Sequence, residues 1–507
     1  MIPPSKDKPR VLVVTPEVTY LPEGMGNIAN HLTAKAGGLA DVSAALVNAL
    51  FRQGGDVHVA LPDYRSMFGN GTGPEKVLQK ELNAIRSQVP EERIHLAEDR
   101  AFFYMSNVYS SYSWENIKIS LAFQREVINN IVPKVQPDLI HCNDWMTGLI
   151  PAMARQLDIP CLFTIHNIFT VKRVLAEIED RGIDAALFWK NLYFNWPPAN
   201  YEITRETNPV DFLVSGVFAA HFVNTVSPTF LQEIIQGRHG FVEDPLRQEL
   251  TNKWHAGCAV GILNSPESTF NPEIDTSLVR PYGPDDHAEG KAVNKRNLQE
   301  RLDLVPDPNA PIFFWPSRLD SIQKGSQLMA DILHDLVSRY WELPLQLVFV
   351  ANGEFQHYLK LIVWEFRLES RVAIRDFDED LARQAYAAAD FVLMPSAFEP
   401  CGLPQMIGPI YGALPVAHDT GGIHDTVEHL DLKRGRGNGF LFKTHDAPGF
   451  SWAIDQAIYF HNRPYQEKQV QITRIMKESR ASFNHTVTAR HYIDLYEKML
   501  QRPFVNP

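Results

Sequence analysis

Two doubly wound α/β domains are the fold this sequence predicts, and three observations carry it. Short, continuous apolar runs of strand-forming residues alternate with helical stretches. The alternation starts afresh in the second half. Between the two series lies residues 271–290, rich in Pro, Asp and Gly, with the composition of a linker. Parallel strands covered by helices on both faces read as unbroken apolar runs. A chain of 507 residues also exceeds one ordinary core.

In the first series, residues 11–14, 57–61, 138–141, 161–165 and 222–225 read as strands, with helical stretches such as 39–52 and 121–131 between them. In the second, residues 311–315, 345–350, 391–394 and 414–416 are strands, again separated by helices. Ligands of such sheets bind outside the carboxyl ends of the strands. Two sheets therefore predict an interdomain cleft lined by both sets of ends. Residues 432–438, basic and glycine-rich, read as a surface turn.

Composition narrows the function. Apolar residues make up 45% and charged residues 21%, the balance of a globular protein. The formal net charge of −12 argues against a nucleic-acid surface. It leaves room for a local basic cleft. Cys142, Cys161, Cys258 and Cys401 are scattered without a CxxC pair, so neither a disulfide framework nor a structural zinc site is expected. The polar start and the absence of a membrane-length apolar run predict a cytoplasmic protein with no membrane partner.

The most informative stretch is 395–403, Pro-Ser-Ala-Phe-Glu-Pro-Cys-Gly-Leu, which sets a carboxylate beside a glycine turn opening a helix. Free N–H groups at a helix start suit an anion, and Glu399 could accept from sugar hydroxyls. Phosphate plus sugar suggests a nucleotide sugar. Lys35-Ala36-Gly37-Gly38 opens another helix and is either a phosphate approach or a plain turn. Arg318 and Lys324 follow the strand ending at Trp315, placed to hold a diphosphate or simply solvated. His166, ending a strand, is a sugar contact or a satisfied structural histidine. The Asn143-Asp144-Trp145 segment carries the same ambiguity. Asp376 and Asp378 have a D-x-D spacing. They precede a helical run, so capping is preferred to a metal. Phe377 between them is a candidate base-stacking platform. Thr420-Gly421-Gly422 is a second candidate anion nest.

Taken in order, these segments, with Thr164-Ile165-His166-Asn167, Asn224 to Pro228, Gly261 to Asn264 and Lys291/Asn294/Lys295, resemble the bacterial-type glycogen and starch synthases. These are retaining glycosyltransferases of the GT-B fold, two Rossmann-like domains around a cleft. The resemblance spans about residues 10–430. It implies an acceptor-side domain over 1–275, a nucleotide-sugar domain over 276–487 and a C-terminal helix, 488–507, crossing back to the first.

The resemblance also implies roles. Lys35, Gly37 and Gly38 approach the diphosphate and transferred sugar, and Arg318 and Lys324 hold the diphosphate. Glu399 accepts from donor-glucose hydroxyls, with Asn264 and the backbone of Cys401, Gly402 and Leu403 around it. Phe377 stacks on the base, Thr420, Gly421 and Gly422 complete the nest, and Asp144 and His166 contact the glucose near the acceptor. The implied reaction passes glucose from ADP-glucose, or UDP-glucose, to the non-reducing end of an α-1,4-glucan, without metal or cofactor. A related α-glycosyltransferase with another acceptor, or a non-catalytic glucan-binding homologue, is the alternative. The chain departs from the family in an insertion over 21–33, in Ala397 and Asp419 where arginine is usual, and in Pro404 where threonine is usual.

Overall fold

The computed structural model describes residues 8–26, 29, 32–65, 67–68 and 93–505. The first sheet uses β1 (Arg10–Val14), β2 (Asp56–Pro62), β3 (Ile94–Ala97), β4 (Leu139–Asn143) and β5 (Cys161–Ile165). After the two-residue antiparallel pair β6 (Lys172–Arg173) and β7 (Val210–Asp211), β8 (Phe222–Thr225) and β9 (Ala259–Gly261) complete it. All its pairings are parallel, in the order β3-β2-β1-β4-β5-β8-β9.

The second sheet contains β10 (Ile312–Trp315), β11 (Gln346–Val350), β12 (Val372–Arg375), β13 (Phe391–Met394), β14 (Leu414–His418) and β15 (Phe440–Phe442). It too is wholly parallel, ordered β12-β11-β10-β13-β14-β15. In each sheet the order reverses beside the first strand of its series, between β1 and β4 and between β10 and β13. Such a reversal is where an open α/β sheet leaves a crevice at the carboxyl ends.

Side chains alternate across a strand with period two, and in the second sheet both faces bury them. Phe313, Trp315, Leu347 and Phe349 enter one core with Leu333, Leu336 and Ile454. Ile312, Phe314, Val348 and Val350 enter the other, with Leu298, Ala385 and Tyr386. This is why these strands carry no polar alternation in the sequence.

By internal packing the chain divides into two units. One comprises 1–226, 231–262 and 485–507, and the other 227–230 and 263–484. The chain thus enters the second unit ahead of residues 271–290, whose last four already belong to the helix His287–Arg301. The helix His485–Leu500 docks in the first unit through Tyr492 and Tyr496, one turn apart and buried. Asn224 Nδ2 donates to Tyr492 Oη at 3.0 Å. Thr164 Oγ1 donates to Asn224 Oδ1, so it accepts from His141 Nε2, whose Nδ1 in turn accepts from Tyr496 Oη at 2.7 Å. The buried polar network is thereby satisfied link by link.

The insertion over 21–33 is tied off at its neck. Val18 and Ala34 exchange backbone hydrogen bonds of 2.9 and 2.8 Å. Leu21, Met25, Ala29 and Leu32 are buried; residues 27–28 and 30–31 lie outside the described residues. Lys35 follows directly on the closed neck.

Candidate active site

In the first unit, the residues beyond β1, β4 and β5 gather at the order reversal. Glu17, three residues past β1, is buried, and its Oε2 accepts the N–H of Ala36 (2.7 Å) and of Gly37 (3.0 Å). Tyr109 donates its hydroxyl to the other oxygen at 3.3 Å. Burial pushes the Glu17 carboxyl above its ordinary range, against these three bonds. Two N–H groups of the Lys35–Gly38 turn are therefore already taken by protein. What the turn keeps open is space. A Cβ on Gly37 or Gly38 would meet nothing within 4 Å, and neither residue has positive φ. Among the described residues, nothing in the packing requires these glycines. Lys35 is half exposed and pairs with Asp41 at 2.9 Å.

Asp144, just past β4, has φ 56° and ψ −179°, a conformation that costs a non-glycine residue about 1–3 kcal/mol. The twist turns its carboxylate onto the residues following β5. Oδ1 accepts from His166 N (2.7 Å) and Asn167 N (3.3 Å), and Oδ2 from Asn167 Nδ2 (2.9 Å). Burial raises the Asp144 carboxyl to about 7, more than those N–H groups lower it. His166 is fixed by Asn143. Asn143 Nδ2 donates to Val14 O at 3.1 Å, which leaves its Oδ1 as the acceptor for His166 Nε2–H at 2.9 Å. Burial lowers the imidazole to about 3, so the ring is neutral and Nδ1 carries the lone pair.

In the second unit, the turns after β10 and β13 interlock. Lys324 Nζ donates to Glu399 Oε2 at 2.6 Å, and Ser396 Oγ donates to the same oxygen at 3.1 Å. Glu399 Oε1 has no protein partner among the described residues, so one carboxylate oxygen is clamped and the other remains an acceptor. The two turns are laced by Ala397 N to Gln323 O at 2.7 Å. Gly325 has φ 75°, and a Cβ there would lie 2.0 Å from Pro395 O. From behind, His418 Nδ1 donates to Ser396 O at 2.8 Å and His445 Nε2 to Pro395 O at 3.0 Å.

The glycines after β14 serve the same packing. A Cβ on Gly421 would lie 2.0 Å from Glu399 O, and one on Gly422 2.1 Å from Cys401 O. Gly422 N donates to Glu399 O at 2.9 Å. The close approach is thus between two protein backbones, and this N–H is not open to an anion. Gly402 has φ 73° and rests on the Gln405 carboxamide, whose Nε2 donates to Cys401 O at 2.7 Å. Leu403 precedes the helix Pro404–Ile410, with Pro404 at its first position. Burial pushes the Cys401 thiol up to about 12, so its side chain is inert. Asn264 Oδ1 is buried with no partner among the described residues. An unmet acceptor of this kind costs about 1–3 kcal/mol until a donor arrives.

Arg318 and Phe377 stand apart from this group. Arg318 is 74% exposed and, among the described residues, reaches only Asp320, at 3.9 Å. Phe377 is exposed, with its N–H on Asn352 Oδ1 at 2.9 Å. Asp378 caps the helix Glu379–Ala388 through Leu381 N at 2.7 Å. Asp419, where arginine is usual in the resembled family, pairs with His424 at 2.7 Å. Glu17, His418 and His445 are site residues that sequence reasoning missed, and Asn143 and Ser396 lay within singled-out segments but were given no role of their own. Only Glu17 left a signal, a carboxylate at the carboxyl end of the first strand.

The chain is similar to known proteins over most of its length. Residues 10–248 match the family model described as the starch synthase catalytic domain, and residues 310–459 that of the group 1 glycosyl transferases. The chain is 32% identical over 509 residues to a glycogen synthase of Moorella thermoacetica, covering 97% of both. It is 31% identical to a glycogen synthase of Bacillus subtilis, covering 92% of this chain and 95% of the relative. The catalytic domain of starch synthase IV from Arabidopsis thaliana, solved with ADP and acarbose bound, matches with a TM-score of 0.77 at 25% identity. That match covers 98% of this chain and 100% of the other. The fold and these matches define a glycosyltransferase of the GT-B class. Within it, the chain belongs to the glycogen synthase family, as an enzyme of glycogen/starch synthase type.

Proposed function

We propose that this enzyme transfers glucose from ADP-glucose to the non-reducing end of an α-1,4-glucan, with retention of configuration, in the cytoplasm. The observation that carries the reading is the half-clamped carboxylate of Glu399. Lys324 and Ser396 fix Oε2, which leaves Oε1 to accept from hydroxyls of the donor glucose. Asn264 Oδ1 is a second waiting acceptor. Lys324, with Arg318 swung in from solvent and Lys35, stabilises the departing diphosphate, a preorganised electrostatic effect. Phe377 stacks on the base.

On the acceptor side, Asp144 and neutral His166 contact the transferred glucose, with His166 Nδ1 accepting a hydroxyl. Gly37 and Gly38 leave room for the sugar. The leaving phosphate takes the acceptor's proton on the attacked face. In this reading the cationic side chains supply the charge a metal would otherwise bring, and no cofactor takes part. The Arabidopsis relative's ADP and acarbose support the same two substrate classes here. Ala397, Pro404 and Asp419 remove positive charge or donors from the second unit's pocket, which favours testing UDP-glucose and other acceptors alongside.

The decisive experiment offers ADP-glucose, UDP-glucose and other nucleotide sugars with maltooligosaccharides and measures nucleoside diphosphate release. ADP-glucose is expected to give the highest kcat/KM. Turnover with none of them would overturn the reading, and preference for another donor would overturn its ADP-glucose part.

A further inference from the structure

The first unit contains a cavity of about 400 Å³ that none of the roles above uses. It lies between the short helix Arg100–Phe103, the helix Ser113–Glu126 and the loop joining them. That volume is within the range of about 300–1,000 Å³ of small-molecule sites. Three aromatic residues on its wall are unusually open: Tyr104 is 84% exposed, Tyr112 64% and Trp114 58%. A solvent-facing cluster of this kind marks a surface that meets a partner.

The rest of the wall selects the ligand. Ser106, Asn107, Ser110 and Ser111 supply hydroxyl and amide groups. The formal charges are one lysine, Lys118, and one glutamate, Glu115, so the lining is neutral. Glu115 also accepts from the Ser110 hydroxyl. A neutral cavity of open aromatic faces edged with hydroxyls fits an uncharged polyol with C–H faces to stack and hydroxyl edges to bond. It does not fit a phosphate, which calls for excess positive charge.

The cavity is also joined to the site. Tyr109 lines it and donates to Glu17, whose carboxylate holds the N–H groups of Ala36 and Gly37. We infer that this cavity is a subsite for an α-1,4-glucan chain, with Tyr104, Tyr112 and Trp114 as stacking platforms for successive glucose rings. The inference rests on the glucan acceptor of the proposed function and gives that chain a place beside the Lys35–Gly38 turn.

The test is binding of maltoheptaose to the intact protein without nucleotide, followed by calorimetry, with cellohexaose as the β-linked control. Wild type is expected to bind maltoheptaose saturably and at least tenfold more tightly than cellohexaose. Trp114→Ala and Tyr104→Ala remove exposed rings and leave no buried hole. Each is expected to melt at the wild-type temperature and to lose tenfold or more in maltoheptaose affinity. Unchanged affinity in both variants, or no binding by wild type, would overturn the subsite. Equal binding of the two sugars would overturn its α-glucan character. Maltoheptaose binding that survives a failed donor panel would sink the proposed transfer reaction and leave this subsite standing.

Discussion

Lys324 Nζ lies 2.6 Å from Glu399 Oε2, joining the turn after β10 to the turn after β13. Both side chains are largely buried, so neither charge can lose its partner cheaply. Lys324→Met leaves a buried, uncompensated carboxylate and is expected to cost about 3 kcal/mol in urea unfolding. Adding Glu399→Gln should recover most of that loss. Glu399→Gln alone should fold and lose about 100-fold in kcat, the scale of one preorganised polar contact to a reacting group. Equal stability of the Lys324→Met and double variants would show that the pair is not coupled.

The glycines divide into two kinds, and alanine separates them. Gly422→Ala sets a methyl 2.1 Å from Cys401 O and must push two loops apart, so it should lower the melting temperature and activity together. Gly37→Ala and Gly38→Ala meet nothing within 4 Å. They should leave stability unchanged or raise it by up to about 1 kcal/mol. Their kcat/KM should nonetheless fall at least tenfold, because the added methyl occupies room reserved for substrate. Wild-type kinetics in both would mean that the open space is not used.

Asn143 sets the His166 tautomer, and a charge there should move its titration. Asn143→Asp puts a carboxylate against Nε2–H and stabilises the imidazolium, raising the ring's pKa. Because catalysis as proposed needs neutral His166, the acidic limb of the kcat/KM–pH profile should shift to higher pH in the variant. A profile superimposable on wild type would rule out His166 as the titrating acceptor.

Asp144 titrates at about 7 in the fold and at about 3.8 when unfolded. A folded-state value raised in this way means that the native state binds the proton more tightly. The stability it contributes is complete below about pH 4, falls as pH rises towards 7 and is flat beyond. Asp144→Asn should remove that slope. Urea midpoints from pH 4.5 to 8 check it, and an identical slope in wild type and variant would assign the dependence elsewhere.

Sequence and structure part company at the sheet edges. The strands read from apolar runs are the interior ones, β1, β2, β4, β5 and β8, then β10, β11, β13 and β14. The unread strands β3, β9, β12 and β15 are the four edges of the two sheets. An edge strand is paired on one side only, so it needs no long apolar run: β9 is Ala-Val-Gly and half-buried, and β15 is three residues long. The site divides likewise. Residues whose chemistry is local, such as Glu399 on its glycine turn, stand out in the chain. Those that act by distant pairing do not. Asn143 is defined by His166, 23 residues on, and His418 by Ser396, 22 residues back. Gly421 and Gly422 read as a candidate phosphate nest, because the sequence shows the glycine and not the backbone packed against it, which takes the Gly422 N–H.

The network of His141, Thr164, Asn224, Tyr492 and Tyr496 also constrains the order of events during synthesis. The three strand residues emerge from the ribosome early, and the two tyrosines follow after the entire second sheet has been translated. Until then His141 and Asn224 lack their last partners, and the groove for the final helix stands open. The nascent first unit therefore waits, incomplete, through some 220 codons, and this is the interval in which a chaperone would find it.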